Sequence, residues 1–395
     1  MRIMTNKKNN WILYCLLGVL IRLGISQLGY NHDIGVWNRV GDGIINGVNM
    51  YSDFPKILYP YLPLWSLILG LLKTIQNFFG NQEIQVFHLL CCLVLSLVDV
   101  WIATLLKKNF SIKAGLIFLF NPISLLITGY HSQIDNLAVL FALLGYLAIF
   151  NNGKLNWLVG GIWFGLSLAT KHFIIFFLPF LFFAPKKIIN FKHRIFTLGI
   201  SSLIPILITI PFIADGNAFN GFVRSVLYYN SMDHGAIFQE IFRILPVNDS
   251  IQIPFISGKT ELSKLLFIIS LSAIVFTQGF RQNKETFFIY LAALVGLSSG
   301  IADQYFAIPL VAVALYFDYV EIKIFTIYIA GYLLLDSPFN IGGELQQFDF
   351  IQPFITIINM FFKAAIGQIL LLVFVFRQLF FQKATSNKLL LNSFS

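Results

Sequence analysis

Leu116 to Thr128 is apolar, Gly129-Tyr130-His131-Ser132-Gln133-Ile134-Asp135-Asn136 is not, and Leu137 to Phe150 is apolar again. The octapeptide reads as a tight polar turn at which two membrane helices meet water. Polar and ionisable groups are costly at such a place and persist where something uses them. Period-two spacing would let His131, Gln133 and Asp135 point the same way, towards a shared ligand. The rival reading is capping, with Asp135 or Ser132 satisfying free N–H groups of the helix that follows.

The rest of the chain fits this membrane reading. Its 395 residues are 57% hydrophobic and 11% charged, and the mean hydropathy is +0.77. A soluble globule carries about 25% charged residues, so that class is excluded. The formal net charge of +9 fits basic cytoplasmic loops, and no nucleic-acid partner is expected. Cys15, Cys91 and Cys92 all fall inside apolar runs and read as packing residues, with neither disulfide nor metal spacing. Lys7 and Lys8 precede the first apolar run without a small-residue cleavage site after it, so that segment is expected to remain as a helix with a cytoplasmic N-terminus.

Apolar windows long enough to span run through 11–29, 87–106, 111–128, 134–150, 195–213, 263–281, 286–302, 304–320, 322–336 and 354–377. The stretch 157–184 is too long for one span and is broken by Lys171-His172, which predicts two short helices meeting at that pair. The stretch 58–79 is read as a helix lying in or dipping into the outer leaflet, because only then do the basic clusters stay on one side. The expectation is an all-α polytopic membrane protein of about twelve spans, both termini cytoplasmic, forming a single integral domain over 1–395.

This arrangement collects the remaining polar groups on the outer face. A first outer loop, 30–86, contains a candidate amphipathic surface helix from Asp33 to Asn46, then Pro55, Pro60 and Pro63. A second, 214–262, offers short helices at Phe219 to Tyr229 and Ala236 to Leu245, flanking Ser231-Met232-Asp233-His234-Gly235. Long structured loops are seldom idle.

Glycosyl or phosphoryl transfer at a membrane surface needs a carboxylate to take a proton from an acceptor hydroxyl and cations to hold a phosphate. Asp33 is the best candidate base, with helix capping as its rival. Lys171, with His172 beside it, is the candidate phosphate-binding cation, although a lysine at a helix end also snorkels to headgroups. Asp233, His234 and Arg243 are candidates for substrate contact, and Asp303-Gln304-Tyr305 for lining a pocket. Arg22 and Asp99 lie within apolar segments at depths roughly 8 Å apart by helical rise; they read as a structural pair that only an extended arginine closes. No pattern is specific for a metal; His131 and Asp135, spaced i and i+4, could with Asp33 assemble a divalent site, but no cofactor is expected.

The ordered set of these pieces resembles the GT-C superfamily of polyprenyl-phosphate-sugar-dependent glycosyltransferases. The nearest pattern is that of the endoplasmic-reticulum glucosyltransferases that use dolichyl-phosphate-glucose in asparagine-linked glycan assembly. Asp33 and Trp37 are similar to an acid followed by a tryptophan in that family's first outer loop. Tyr59-Pro60-Tyr61-Leu62-Pro63-Leu64 resembles its Y-P-P-L element, and Asp99 its intramembrane aspartate. Asn121-Pro122 followed by His131, Gln133 and Asp135 resembles N-P leading into H-x-Q-x-[ND]. Lys171 with Leu178-Pro179-Phe180, and then Pro211-Phe212, complete the likeness over roughly residues 30–245. Two departures stand out. Tyr61 is inserted in the proline element, and Asp303-Gln304-Tyr305 occupies the approximate place of a later H-E-K-type signature, where other branches carry Q-Y.

The resemblance implies an inverting hexosyltransferase. Asp33 would be the catalytic base, and Trp37, His131, Gln133, Asp135, Lys171, His172, Asp233, His234, Gln304 and Tyr305 would contact substrate. The donor would be a polyprenyl-phosphate sugar and the acceptor a glycan or lipid-linked hydroxyl, with membrane lipids as the other partners. Compact size and richness in Phe, Ile, Asn and Lys favour a bacterial inner membrane, with the active site on the extracytoplasmic side. The alternative class is a transporter or flippase of a lipid-linked glycan or other polar solute, which usually gathers polar groups at the midplane of repeated halves; here they collect at helix ends and no repeat is evident.

Overall fold

The computed structural model describes residues 7–52, 59–150, 155–183, 190–227, 236–238, 241, 252–253, 256–257, 259–280, 285–335 and 364–381. These are helical apart from loops and one antiparallel pairing of Gln252–Ile253 with Ile256–Ser257. The helices are α1 (Lys7–Ile25), α2 (His32–Ile45), α3 (Pro63–Phe78), α4 (Ile84–Asn109), α5 (Ile112–Leu119), α6 (Pro122–Leu126), α7 (Asp135–Phe150), α8 (Asn156–Thr170), α9 (Leu178–Phe183), α10 (Phe191–Thr209) and α11 (Gly216–Phe222). They continue as α12 (Lys259–Phe280), α13 (Thr286–Gly296), α14 (Leu310–Leu315), α15 (Val320–Leu335) and α16 (Ala365–Phe380). Each apolar window predicted from sequence overlaps one of these helices or a bent pair of them; residues 281, 336 and 354–363 of the windows lie outside the described residues.

Their boundaries follow from short polar residues and prolines. Ser111, Asn121, Asn190 and Asp215 each turn a side-chain oxygen onto a backbone N–H of the helix that follows, satisfying donors that helix geometry leaves free. Asp215 takes two such N–H groups, which starts α11 three residues before the predicted Phe219 and holds the Asp215 carboxyl below the usual carboxylate range. Pro122 removes a helical donor, and the chain bends by 43° between α5 and the segment Pro122–His131. The break at Lys171 is as predicted: α8 ends at Thr170, Lys171 is extended at φ −153° and ψ 132°, and a 3-10 turn runs His172–Phe176.

By length and composition, α4 and the run Phe191–Phe212 are apolar enough to cross a membrane, or three spans if the bent pair counts as one. Shorter apolar helices include Asn10–Ser26, Asp135–Phe150, Leu262–Thr277 and Ala365–Phe380. The α10 run has a mean hydropathy of 2.1 over its best window, yet only 17% of that window is buried. Leu203, Ile206 and Leu207 on it are each half or more exposed, as are Ile12, Leu13, Leu20 and Ile327 elsewhere. A protein dissolved in water rarely leaves such a continuous apolar face open.

Packing relies on small residues. α8 lies against α7 on one side and α10 on the other. A Cβ on Gly145 would stand 2.8 Å from the Phe164 ring, and one on Gly165 would stand 2.8 Å from Ile204. Close backbone approach of this kind is how helices associate where no hydrophobic driving force separates lipid from protein. The 58–79 element, expected at the outer leaflet, is α3, which packs along α2 and α4. Its Lys73 is buried, donating to Asn38 Oδ1 at 2.8 Å and pairing with Asp42 at 3.2 Å, so α2 and α3 are pinned together by polar as well as apolar contacts.

The segment after α2 meets the segment after α10. Asn49 donates to the Phe212 carbonyl at 2.6 Å, the Ser52 hydroxyl to Asp215 at 3.3 Å, and the Tyr51 and Phe222 rings lie edge to face at 5.2 Å.

Candidate functional site

The polar octapeptide is a strained reversal. Ile127–His131 forms a π-helical turn, and Ser132 then adopts φ +49° and ψ 43°. Ser132 is the one non-glycine with positive φ among the described residues. Such geometry costs roughly 1–3 kcal/mol and persists where the surroundings enforce it; π-turns likewise concentrate at functional sites. The enforcing contacts are visible. Asp99 Oδ2 accepts from Arg22 Nε at 2.9 Å, Ser124 Oγ at 3.0 Å and Thr128 Oγ1 at 2.7 Å, while its Oδ1 accepts from Asn136 Nδ2 at 2.7 Å. Arg22 also donates to Ser124 Oγ at 2.7 Å and to the Gly18 carbonyl at 3.0 Å. This buried set ties α1, α4 and both flanks of the turn together, and the extended arginine expected from sequence closes the gap. Gly129 completes the fit, because a Cβ there would stand 2.9 Å from Ile25.

The reversal brings its side chains to partners at the start of α2 and at the end of α8. Gln133 Nε2 donates to Asp33 Oδ2 at 2.6 Å. Asn31 Nδ2 lies 3.1 Å from His131 Nδ1 and 3.4 Å from the same Asp33 Oδ2. An amide nitrogen can only donate, so His131 Nδ1 accepts, and the neutral ring carries its proton on Nε2. Asp135 Oδ1 accepts from Lys171 Nζ at 2.6 Å, with Asp135 fully buried and Lys171 nearly so. The Lys171 ammonium also stands over the Tyr305 ring at 4.5 Å and the Tyr61 ring at 5.7 Å. Both distances allow cation–π attraction.

Capping accounts for neither Asp135 nor Ser132. The Ser132 hydroxyl donates to the Thr128 carbonyl at 3.2 Å, and Asp135 is committed to Lys171. Asp33 lies in the first turn of α2, half-buried, and binds Gln133 instead of a backbone N–H; Asn31, in the N-cap position, makes no capping bond either.

Tyr61, an insertion relative to the proline element it resembles, is thus brought to the site. Its carbonyl accepts from Tyr51 Oη at 2.6 Å, and its ring meets Tyr59 edge to face at 5.6 Å. Burial pushes the Tyr51 and Tyr59 phenols well above their ordinary range, so both remain donors.

Other expected site residues are placed differently. Trp37 is 2% exposed and packs edge to face on Trp65 at 5.3 Å, in the core between α2 and α3. His172 is exposed while Lys171 beside it is buried, because the extended Lys171 backbone turns successive side chains to opposite sides. Gln304 and Tyr305 are half-buried, and Tyr305 is the one placed at Lys171. Asp303 accepts from Tyr332 Oη at 2.8 Å. Asp233, His234 and Arg243 lie outside the described residues. No group of three or more His, Cys, Asp or Glu side chains among the described residues could hold a metal ion, so His131, Asp135 and Asp33 do not form the divalent site considered from spacing.

Sequence reasoning missed Asn31, Ser124, Thr128 and Asn136. Asn31 precedes a helix, as any capping asparagine does, and the hydroxyl residues sit in apolar runs where serine and threonine usually bond their own helix. No family model matches this chain, and no curated protein matches it.

Proposed function

We propose that the chain is an integral-membrane glycosyltransferase, with about twelve spans, that moves a hexose from a polyprenyl-phosphate donor to an acceptor hydroxyl at the extracytoplasmic face of a bacterial inner membrane. The observation that carries this reading is the convergence of a half-buried carboxylate, Asp33, and a buried cation, Lys171, through partners two residues apart, Gln133 and Asp135. The exposed apolar faces of α1, α10 and α15 support the membrane setting.

The chemistry follows from the hydrogen bonds. Gln133 and Asn31 both address Asp33 Oδ2, leaving Oδ1 to take the acceptor proton. The deprotonating oxygen attacks the anomeric carbon, the bond from that carbon to the phosphate oxygen breaks on the opposite side, and the configuration inverts. Polyprenyl phosphate leaves with the bonding pair. Lys171 spends one of its three N–H groups on Asp135, and the others are left to hold the phosphate against the Tyr61 and Tyr305 rings. Holding both reactants in line supplies much of the acceleration.

Purified protein in lipid nanodiscs, given radiolabelled citronellyl-phosphate and farnesyl-phosphate hexoses with a panel of glycan acceptors, tests the proposal. The expected result is a glycosidic product of inverted anomeric configuration. A product with retained configuration, or movement of lipid-linked sugar across vesicles with no glycosidic product, would reject it.

A further inference from the structure

The amides beside Asp33 have their orientation fixed by what their nitrogens bind. Gln133 turns its NH2 to the Asp33 carboxylate, and Asn31 shares its NH2 between that carboxylate and His131 Nδ1. Neither amide can flip without setting a carbonyl oxygen against a carboxylate. The carbonyl ends are therefore determined too, and among the described residues Gln133 Oε1 and Asn31 Oδ1 accept no hydrogen bond, although both atoms are buried. Gln133 as a whole is 0% exposed. A buried acceptor left unmatched costs roughly 1–3 kcal/mol, and here both belong to the amides whose nitrogens hold one carboxylate oxygen of Asp33.

We propose that Gln133 Oε1 and Asn31 Oδ1 form a hydroxyl-reading subsite, which accepts hydrogen bonds from the ring hydroxyls adjacent to the one that Asp33 deprotonates. The inference rests on Asp33 being the base, and it names the acceptor's class: a sugar, with vicinal hydroxyls, and not an isolated lipid alcohol or an anion. Donor and acceptor chemistry points this way. A phosphate or carboxylate brings only acceptor oxygens and would meet two more acceptors, whereas a hydroxyl brings the O–H that each carbonyl lacks. A single-hydroxyl alcohol that reached Asp33 would leave both carbonyls unmatched; a pyranose ring carries hydroxyls on neighbouring carbons and satisfies them together. Discrimination built on buried polar groups of this kind penalises the analogue that lacks the matching hydroxyl.

The test is saturation-transfer NMR on the full chain in nanodiscs, with methyl α-D-glucopyranoside, methyl α-D-mannopyranoside and their monodeoxy counterparts as probes. The proteins compared are wild type, Gln133→Ala and Asn31→Ala, with transfer activity measured separately on the same preparations. The expected result is binding of at least one glycoside, weakened roughly 3- to 10-fold by loss of one hydroxyl. It should be weakened similarly by Gln133→Ala or Asn31→Ala, and removal of both the hydroxyl and its matching side chain should cost no more than removal of either. Asn31, half-buried, covers the case in which Gln133→Ala fails to fold. Equal binding by wild type and variants, equal binding of deoxy and parent glycosides, or no binding to a folded wild type would overturn the proposal. Wild type that binds as expected but transfers nothing would keep the subsite and reject the transferase reading.

Discussion

Charge is handled in opposite ways at the two ends of the helix bundle. At the end that holds Asp33, two pairs are buried, Lys171 with Asp135 at 2.6 Å, side chains 8% and 0% exposed, and Arg22 with Asp99 at 2.9 Å, both 0% exposed, while Lys73 with Asp42 is buried on the lysine side alone. At the end rich in lysine, charge reaches the surface. Lys113 meets Asp318 at 2.6 Å with side chains 59% and 82% exposed, and Arg377, 50% exposed, meets the buried Glu321 at 3.3 Å while stacking on Tyr319 at 4.4 Å. Distance alone would rank Lys113–Asp318 equal to Lys171–Asp135. Burial separates them: an exposed pair is screened by water and contributes little, whereas breaking a buried pair costs about 3–5 kcal/mol. The Asp33 end holds charges that cannot easily be changed, and Lys113 and Asp318 are charges that can.

The largest expected contrast is in activity. Asp33→Asn should lower transfer by about 100-fold or more, while Lys113→Ala should leave the rate within twofold, measured with the same donor and acceptor. Next comes stability. Arg22→Met leaves Asp99 buried without its cation and should destabilise the protein by about 3–5 kcal/mol, seen as a lowered melting temperature in nanodiscs; Lys113→Met, whose partner is exposed, should shift it far less. Equal shifts would dissolve the contrast between the ends.

Lys171→Met should weaken both stability and donor use, and Tyr61→Ala should raise the KM for the lipid-phosphate donor severalfold without unfolding, since the Lys171–Tyr61 contact is worth about 0.5–2 kcal/mol. Unchanged donor KM in Tyr61→Ala would remove Tyr61 from the site.

The smallest effect belongs to Asp318. The hydrogen bond and charge of Lys113 hold its carboxyl below the usual range. A folded-state pKa below the unfolded one adds stability above the unfolded value of about 3.9, and that addition is lost as pH falls through the folded value. Any difference in melting temperature between wild type and Lys113→Ala should accordingly be small at neutral pH and vanish in acid.

Much of this contrast is legible in the sequence, and for a physical reason. An ionisable residue inside an apolar run must have a partner or a task, so Arg22, Asp99 and Lys171 announce themselves, and Lys171-His172 marks the helix break. The paired i, i+2 geometry of Gln133 and Asp135 follows from a tight turn. What sequence could not show is which side chains meet across the fold. Asn31 looks like a cap and instead bridges His131 and Asp33. Trp37 resembles a tryptophan that follows an acid in a family motif, and an aromatic at i+4 on an amphipathic helix is readily turned to the core, where Trp65 receives it. Tyr61 reads as an irregularity in a proline motif, and only the fold brings its ring to the Lys171 ammonium.

The most direct test of the central claim is transfer of labelled hexose from a polyprenyl-phosphate donor by wild type, Asp33→Asn and Lys113→Ala, each shown to be folded in nanodiscs. The account predicts product from wild type and Lys113→Ala and almost none from Asp33→Asn. Undiminished product from folded Asp33→Asn would contradict it.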